Sequence, residues 1–221
     1  MTVAVSEEAL RNGANALSIE LTDAQAATLA NYGALLMKWS KVYNLTSVRD
    51  PGGVLTRHLL DSLAVVVPLR RELQTRGWAQ CRLLDVGSGA GLPGAVIAIL
   101  CPEVNVTCLD AVAKKIAFVQ QVTAELKLPN LSGLHARIES LTDQYDVISS
   151  RAFASLHDFV VVSANALRAE GIWLAMKGRV PTDEIEKLPA DAEMFHVEQL
   201  VVPGLDADRC IVWLRRRSIA T

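Results

Sequence analysis

Residues 83–94, with the sequence LLDVGSGAGLPG, decide the fold class of this chain. An apolar, strand-like run ends in three alternating glycines, Gly87, Gly89 and Gly91, and the apolar helix-like run GAVIAIL follows at 94–100. Glycine permits positive φ angles and a close approach of the backbone to a ligand, and the start of a helix presents unpaired amide groups. The segment therefore predicts a strand, a ligand-binding turn and a helix.

Short apolar runs alternate with helical patterns along the rest of the chain. The other strand-like runs in this series are VNVTCLD at 104–110, SGLHA at 132–136, YDVISS at 145–150 and GIWLAM at 171–176. With helical patterns over 112–127 and 156–168, the series predicts an α/β fold, a Rossmann-like domain with a mostly parallel sheet. Two last runs, HVEQLVV at 196–202 and CIVWLRR at 210–216, are separated by a short turn-rich link, which favours a C-terminal antiparallel hairpin.

The chain before the first strand has helical patterns only. Thr22-Asp23 is a suitable N-cap for a helix whose apolar residues recur every three or four positions up to Tyr43. The sequence Asp50-Pro51-Gly52-Gly53 predicts a chain break, after which helical spacing resumes. We predict a helical N-terminal extension over residues 1–80 and a ligand-binding Rossmann-like core over residues 81–221.

The composition excludes several classes of protein. Of the 221 residues 51% are hydrophobic and 21% charged, so the chain can bury a core and is not a disordered segment. Its net charge of -2 gives no overall attraction to nucleic acid, so RNA binding requires a local basic surface. No apolar run is long enough to span a bilayer and MTVAVSEEAL does not resemble a secretory signal, so we expect a cytoplasmic protein without membrane association.

The cysteines do not indicate a metal centre or a disulfide framework. Cys81, Cys101, Cys108 and Cys210 form no CxxC pair and have no histidines at metal-ligand spacing. We therefore expect reduced, mostly buried thiols and no metal site.

The glycine turn alone does not identify its ligand, because Gly89, Gly91 and Gly94 also match the GxGxxG pattern of dinucleotide-binding proteins. Asp85 would repel the diphosphate of a dinucleotide and attract the ammonium of S-adenosylmethionine, unless it only stabilises the turn. Asp110, at the end of the second strand, is placed to bind ribose hydroxyls, which both ligands have, or to cap the next helix. The C-terminal hairpin is typical of methyl-donor-binding sheets and favours S-adenosylmethionine by analogy.

Several short motifs, in their order, resemble the bacterial RsmG (GidB) family. They are Asn44-Leu45-Thr46-Ser47, Arg57-His58 with Leu60-Asp61-Ser62, DVGSGAGLPG at 85–94, SRAFASL at 150–156 and Lys177-Gly178, and the resemblance extends from about Asp23 to Arg215. It implies an S-adenosylmethionine-dependent methyltransferase that modifies N7 of a guanine in 16S ribosomal RNA. An NAD-dependent oxidoreductase and a non-catalytic donor-binding protein remain as alternatives.

The resemblance also implies roles for single residues around the donor. Gly87 and Leu92 would line the methionine and adenosine side of the pocket, and Asp110 would hold the ribose. Ile138 would pack against adenine and Glu139 would bind its amino edge. The alternatives are that Ile138 is a core residue and that Glu139 is a solvated acid at the start of a helix.

The chemistry of guanine N7 indicates which residues would act on the substrate. N7 has a free lone pair at neutral pH, so its methylation requires placement rather than a general base. A hydrogen-bond donor directed at guanine O6 would stabilise the charge that develops. Arg151 and Lys177, which follow the fourth and fifth strands, are the candidate catalytic residues. The resemblance also places Arg151 at the donor pocket, and the alternative for it is an ion pair with Asp146 or Glu139.

RNA binding is expected from basic and polar residues around the ligand crevice. Asn44, His58 and Arg209 are the candidate substrate-binding residues, although Asn44, His58 and Asp61 could equally hold the helical extension against the sheet. A wider basic set is expected to meet phosphates at the carboxyl edge of the sheet: Lys38, Lys41, Arg49, Arg57, Arg179 and Arg215-Arg216-Arg217. The expected partner is 16S ribosomal RNA in the small subunit, bound by a monomer.

Overall fold

The computed structural model describes residues 5–151 and 153–217, and these form one sheet with helices on both faces. Ala152, within SRAFASL, and the outer ends of both predicted units lie outside the described residues. The strands are β1 Cys81–Val86, β2 Val104–Asp110, β3 Leu131–His135, β4 Tyr145–Arg151, β5 Leu167–Lys177, β6 Ala192–Leu200 and β7 Arg209–Arg216.

The seven strands form a single sheet in the order β3-β2-β1-β4-β5-β7-β6. β1 to β5 are parallel, whereas β7 is antiparallel to both β5 and β6. The predicted fold class and the predicted C-terminal hairpin are confirmed. The order reverses between β1 and β4, and in open α/β sheets ligands bind beyond the carboxyl ends of the strands at this point.

Two strands, β5 and β6, begin four residues earlier than the sequence predicts. β5 begins at Leu167 because the preceding helix ends at Ser163 and a short 3-10 turn, Ala164–Ala166, leads into the strand. Leu167 pairs with Tyr145 ahead of an irregularity in the β4–β5 pairing, and both side chains are buried. The predicted helix to residue 168 is therefore wrong at its end. β6 begins at Ala192 instead of residue 196 because its first residues pair with the end of β7.

Seven helices accompany the strands in the described part of the chain. They are α1 Glu7–Ala16, α2 Asp23–Tyr43, α3 Pro51–Thr75, α4 Gly94–Leu100, α5 Ala113–Glu125, α6 Leu156–Ser163 and α7 Thr182–Ile185. Thr22 caps α2 as predicted, in a capping box with Gln25. The segment 50–53 is a helix start instead of the predicted break, because Asp50 accepts a hydrogen bond from the Gly53 amide at 2.7 Å and proline is suited to the first helical position.

α3 is irregular near its middle. Residues Leu55–Leu60 form a π-helical segment, and Asp61 follows it directly. By length and composition α3 passes a test for a membrane span, with a mean hydropathy of 1.2, but 67% of the tested window is buried inside the fold. This burial identifies α3 as a core helix of the fold.

The helical N-terminal region and the sheet share one hydrophobic core. Leu29 and Leu63 of the helical region pack in the same cluster as Leu83 of β1, whereas Leu84, the next residue in β1, belongs to a second cluster on the opposite face. The change from helices to strands falls near residue 80, but the core is continuous across it. The division into two units stays a prediction.

All four cysteines are free and buried, which confirms the predicted state of these thiols. Burial raises the pKa of Cys81 to about 12 and that of Cys101 to about 11. These cysteines therefore remain protonated and contribute to packing.

The strand directions determine which basic residues lie at the ligand-binding edge. Because β7 is antiparallel to β5, Cys210 pairs with Lys177 at the carboxyl edge, whereas Arg215 pairs with Ile172 near the opposite edge. Arg209 therefore lies at the predicted crevice. The expectation that Arg215-Arg216-Arg217 also line it is wrong, since this end of β7 is at the amino edge.

Candidate active site

The glycine turn after β1 is open toward solvent and fixed to the end of β2. Gly87 and Gly89 have φ angles of 67° and 59°, in the left-handed region that favours glycine. A Cβ atom added at either position would have no atom of residues 5–151 or 153–217 within 4 Å, apart from the glycine itself and its two chain neighbours. The Gly89 amide donates a hydrogen bond to Asp110 Oδ2 at 3.0 Å, and the Ser88 amide donates to the Leu109 carbonyl at 3.1 Å. The turn thus presents open space next to the end of β2.

Asp85 stabilises this turn from inside the protein. Its carboxylate is fully buried and accepts hydrogen bonds from the Gly94 amide at 2.9 Å and from Ser149 Oγ at 3.0 Å. Burial raises the pKa of Asp85 to about 6, against the lowering effect of these hydrogen bonds. The placement matches the turn-stabilising alternative, and a contact between Asp85 and a donor ammonium is not supported because the carboxylate does not reach the surface.

A cavity of about 380 Å³ lies beyond the carboxyl ends of β1, β2 and β3. We call it the donor cavity, and its lining includes Gly87, Asp110, Lys115, Ile138, Glu139 and Phe153. Its volume is within the range of small-molecule sites. Four of the predicted donor-binding residues, Gly87, Asp110, Ile138 and Glu139, are thus brought together.

The Asp110 carboxylate is at the base of the donor cavity. Oδ2 accepts hydrogen bonds from the Gly89 amide and from Lys115 Nζ at 3.2 Å, and Oδ1 accepts one from the Val112 amide at 2.9 Å. A carboxylate has about four acceptor positions. Asp110 therefore supports the turn and the start of α5, and it keeps one acceptor position for a ligand hydroxyl.

A second cavity, of about 400 Å³, lies beyond the ends of β4 and β5 and the start of β7. We call it the basic cavity, and it is lined by Arg57, His58, Asp61, Arg151, Met176, Lys177, Gly178 and Arg209. Both candidate catalytic residues and two of the three candidate substrate-binding residues are therefore in one cavity.

Asp61 connects three parts of the fold within the basic cavity. Its Oδ2 accepts a hydrogen bond from Arg151 Nη1 at 3.1 Å, and its Oδ1 accepts one from Arg209 Nε at 2.7 Å. Only 3% of the Asp61 side chain is exposed. Arg151 therefore does form an ion pair, but its partner is Asp61 of α3 instead of the expected Asp146 or Glu139. Asp146 pairs with Arg168.

His58 is neutral and fixed in one tautomer. Its Nδ1 lies 2.9 Å from the Arg57 carbonyl, which can only accept, so Nδ1 carries the proton. Nε2 then accepts a hydrogen bond from Thr46 Oγ1 at 2.7 Å. Burial, with the nearby Arg151 guanidinium, lowers the pKa of His58 to about 4. His58 therefore connects the loop after α2 to α3, which matches the alternative role given to it above.

Lys177 reaches from β5 toward the donor cavity. Its Nζ donates hydrogen bonds to Glu184 Oε2 at 2.8 Å and to the Phe153 carbonyl at 3.3 Å. Since Phe153 lines the donor cavity and Lys177 lines the basic cavity, the two cavities are adjacent. This adjacency also follows from the sheet, in which β1 and β4 are neighbours.

Three of the predicted site residues do not lie at the cavity in which the sequence analysis expects them. Leu92 is buried in the core at the start of α4 and does not line the donor cavity, because the turn directs it inward. Asn44 ends α2 in the left-handed conformation and accepts a hydrogen bond from Arg49, outside both cavities. Arg151 lines the basic cavity and not the donor cavity, because Asp61 and the Arg57 carbonyl hold its guanidinium.

Lys115 and Phe153 are among the lining residues of the donor cavity that were not predicted as site residues. Lys115 donates a hydrogen bond to Asp110, and Phe153 follows the end of β4. Both come shortly after the carboxyl end of a parallel strand, which is the sequence signal that would have identified them.

Comparison with known proteins supplies a family. Residues 25–212 match the GidB family model, described as rRNA small subunit methyltransferase G. The ribosomal RNA small subunit methyltransferase G of Polaromonas sp. is 62% identical over 215 residues, covering 97% of this chain and 95% of the relative. That of Methylibium petroleiphilum is 57% identical over 212 residues, covering 96% of this chain and 95% of the relative.

Solved structures with low sequence identity share the fold. A SAM-dependent methyltransferase from Aquifex aeolicus superimposes with a TM-score of 0.54 and 15% identity, covering 80% of this chain and 97% of that chain. TrmN from Thermus thermophilus gives a TM-score of 0.55 and 16% identity, covering 74% of this chain and 53% of that chain. These likenesses confirm the predicted Rossmann-like methyltransferase fold.

Proposed function

Because this chain belongs to the GidB family of small-subunit ribosomal RNA methyltransferases, we propose that it methylates N7 of a guanine in 16S ribosomal RNA. The family membership establishes a methyltransferase with S-adenosylmethionine as its cofactor, and it does not support the oxidoreductase or the non-catalytic alternative. The observation that carries the proposal is the adjacency of the donor cavity and the basic cavity at one edge of the sheet.

The residues of the donor cavity fit S-adenosylmethionine. The open space at Gly87 and Gly89 would be filled by any larger side chain, and among the described residues no charged group lies within 4 Å of a Cβ atom placed at either glycine. Asp110 has an acceptor position for a ribose hydroxyl, as described above. Ile138 and Phe153 provide apolar surface for adenine, and the exposed Glu139 carboxylate is available to its amino group. When bound, S-adenosylmethionine supplies a methyl group attached to a positively charged sulfur.

The basic cavity suits a nucleotide of the RNA. Arg57, Arg151, Lys177 and Arg209 bring four positive charges to its lining, against one carboxylate, Asp61. Cationic side chains at such a position bind the phosphates that flank a target base. A guanine held here would lie beside the donor cavity, which is the position that methyl transfer requires.

Arg151 and Lys177 retain hydrogen-bond donors for the target base. Within the described residues, the hydrogen bonds of Arg151 engage only Nη1, and those of Lys177 engage two of its three protons. Either residue can donate to guanine O6 as the ring acquires positive charge on methylation. N7 carries no proton at neutral pH, so His58, with both ring nitrogens engaged, is not needed as a base. Placement of N7 against the methyl group accounts for most of the proposed catalysis.

The experiment that tests this function identifies cofactor, target and position together. Small subunits from a strain that lacks the enzyme are incubated with labelled S-adenosylmethionine, and 7-methylguanine is mapped by chemical strand scission. We expect one labelled guanine in 16S ribosomal RNA. Label in another base, or at another atom of guanine, would contradict the N7 assignment. A parallel reaction with naked 16S ribosomal RNA determines whether the assembled subunit is required.

We also propose a cytoplasmic enzyme that acts as a monomer on the small subunit. The location is that of its ribosomal substrate. The two cavities are both formed within one chain, so no second copy is needed to complete the site.

A further inference from the structure

Asp61 is a buried carboxylate for which the methyl-transfer reaction has no direct use. It is 2% exposed and pairs at once with Arg151 of β4 and Arg209 of β7. These arginines are 23% and 26% exposed, so both keep contact with the basic cavity. Asp61 therefore lies at the wall of the basic cavity, almost fully covered, with its carboxylate oxygens engaged by the two arginines.

The backbone around Asp61 contributes to the same arrangement. Asp61 comes immediately after the π-helical segment Leu55–Leu60, and π-helical turns are rare and frequently occur at functional sites. The carbonyl of Arg57, in this segment, accepts hydrogen bonds from Arg151 Nη1 at 3.2 Å and from His58 Nδ1. The Arg151 guanidinium is thus held by two acceptors of α3.

The charges of the basic cavity depend strongly on Asp61. Among the described residues, no other carboxylate lines this cavity. Removal of the Asp61 charge would leave Arg151 and Arg209 without their shared counterion and available to pair with phosphates of the RNA.

We propose that Asp61 is a positioning residue, which orients Arg151 toward the target guanine and limits the strength with which Arg151 and Arg209 bind phosphate. This inference rests on the proposed function. Asp61 lowers the affinity for RNA and raises turnover, because an arginine that is paired with Asp61 keeps its orientation toward the base. Asp61 thus changes RNA affinity and turnover in opposite directions. A residue needed only for folding would change both in the same direction.

The variant Asp61→Asn tests the inference because it keeps the shape of the side chain and removes its charge. With undermethylated small subunits at saturating concentration, we expect kcat to fall at least tenfold. The affinity for the subunit at low salt rises severalfold, and log K falls more steeply with log salt, by about one unit for each arginine released. The affinity for S-adenosylhomocysteine, measured by calorimetry, remains that of the unchanged protein.

Asp146→Asn is the matched control. Asp146 is also a buried carboxylate, 9% exposed, and it pairs with Arg168 and accepts a hydrogen bond from the Arg82 amide at 2.8 Å. It lies near the start of β4, at the opposite edge of the sheet from Arg151. We expect a lower melting temperature for this variant, with kcat and the salt dependence of RNA binding unchanged.

The inference is overturned if Asp61→Asn keeps the kcat of the unchanged protein, or if its affinity for the subunit falls. If Asp61→Asn does not bind S-adenosylhomocysteine, Asp61→Glu replaces it, since it keeps the charge and displaces the carboxylate by one methylene. Asp61→Glu is then expected to lower kcat severalfold with unchanged RNA affinity, and an unchanged kcat would overturn the inference. Failure of the proposed function is distinguishable, because the unchanged protein would then form no 7-methylguanine.

Discussion

The donor cavity and the basic cavity are neighbours that are built in different ways. The donor cavity depends on contacts between residues close in sequence, such as Gly94 with Asp85, nine positions apart, and Gly89 with Asp110, 21 apart. The basic cavity depends on Asp61 contacts with Arg151 and Arg209, which are 90 and 148 positions away. The proposed cofactor site is thus a local structure of the sheet core, whereas the proposed RNA site requires the helical region, the sheet and the final hairpin together.

The two cavities are predicted to be separable by single substitutions, most strongly at Arg151. Arg151→Ala removes the proposed donor to guanine O6, and loss of one such donor costs about 100- to 1,000-fold in turnover. The affinity for S-adenosylhomocysteine is expected to be unchanged, because Arg151 does not line the donor cavity. Single-turnover methylation of small subunits and calorimetry measure the two quantities.

Arg168→Ala is the control for this substitution, since Arg168 also pairs with a buried aspartate but near the amino edge of the sheet. It is expected to keep its turnover. An Arg151→Ala protein that has lost donor binding together with methylation would show that the two cavities do not function separately.

His58, in the basic cavity, should make the stability of the protein increase with pH. The pKa of His58 is about 4 in the folded protein and about 6.5 in the unfolded chain, so between these values the unfolded chain binds the additional proton. Its contribution is complete above pH 6.5 and is lost as the pH falls toward 4, by at most about 3 kcal/mol. For His58→Gln, the unfolding free energy relative to the unchanged protein is therefore expected to become more negative from pH 4 to pH 6.5.

Urea unfolding at a series of pH values measures this difference. Gln74→Ala, at an exposed position of α3 where neither side chain is ionisable, provides the control and is expected to give a difference that does not change with pH. A flat difference for His58→Gln as well would mean that the histidine is not held neutral by its surroundings.

Asp85, beneath the donor cavity, should make the stability of the protein decrease with pH, which is the opposite of the effect of His58. Its pKa is about 6 in the folded protein against 3.8 ordinarily, so from pH 4 to pH 6 the folded protein binds the additional proton. The contribution of Asp85 to stability is present at low pH and is lost as the pH rises through this window. The loss in unfolding free energy is slightly smaller than for His58 because the pKa shift is smaller.

Asp85→Asn keeps an oxygen for the Gly94 amide and an amide for the Ser149 oxygen. Its unfolding free energy relative to the unchanged protein should therefore become more positive from pH 4 to pH 6. The same urea titration measures it, with the exposed Asp206→Asn as reference. If the curves for Asp85→Asn and His58→Gln moved in the same direction, one of the two ionisation states described here would be wrong.

Gly87→Val is expected to have a smaller, more selective effect on the donor cavity. The side chain would enter open space in this cavity, and the φ angle of 67° adds backbone strain. We expect S-adenosylhomocysteine to bind at least tenfold more weakly, with RNA affinity unchanged. Gly77→Val has the same φ angle and the same open surroundings, but Gly77 lies beyond α3, outside both cavities. Equal loss of donor affinity in both variants would attribute the effect to strain alone.

The same contrast explains what the sequence predicts well. The glycine turn with Gly87, the strand ends and Asp110 follow from short patterns, whereas Ile138 and Glu139 were expected only from the family resemblance. The inward direction of Leu92 was not predictable, because it depends on how the turn enters α4.

Long-range pairing accounts for most of the remaining differences. The partner of Arg151 was missed because Asp61 is on a helix 90 residues earlier, and nothing local to either residue identifies the pair. β5 starts at Leu167 because of its neighbour β4, although the sequence there continues a helical pattern. The wrong prediction at the start of α3 does not involve long-range pairing. Asp50 before Pro51 is a local capping signal that favours a helix.

The most direct test of two separate cavities is a crystal structure of the protein with S-adenosylhomocysteine. We predict electron density for the ligand between Gly87, Asp110 and Ile138, with Arg151 and Arg209 still paired to Asp61. Ligand density among Arg57, Arg151 and Arg209 instead, with the glycine turn closed, would contradict the account.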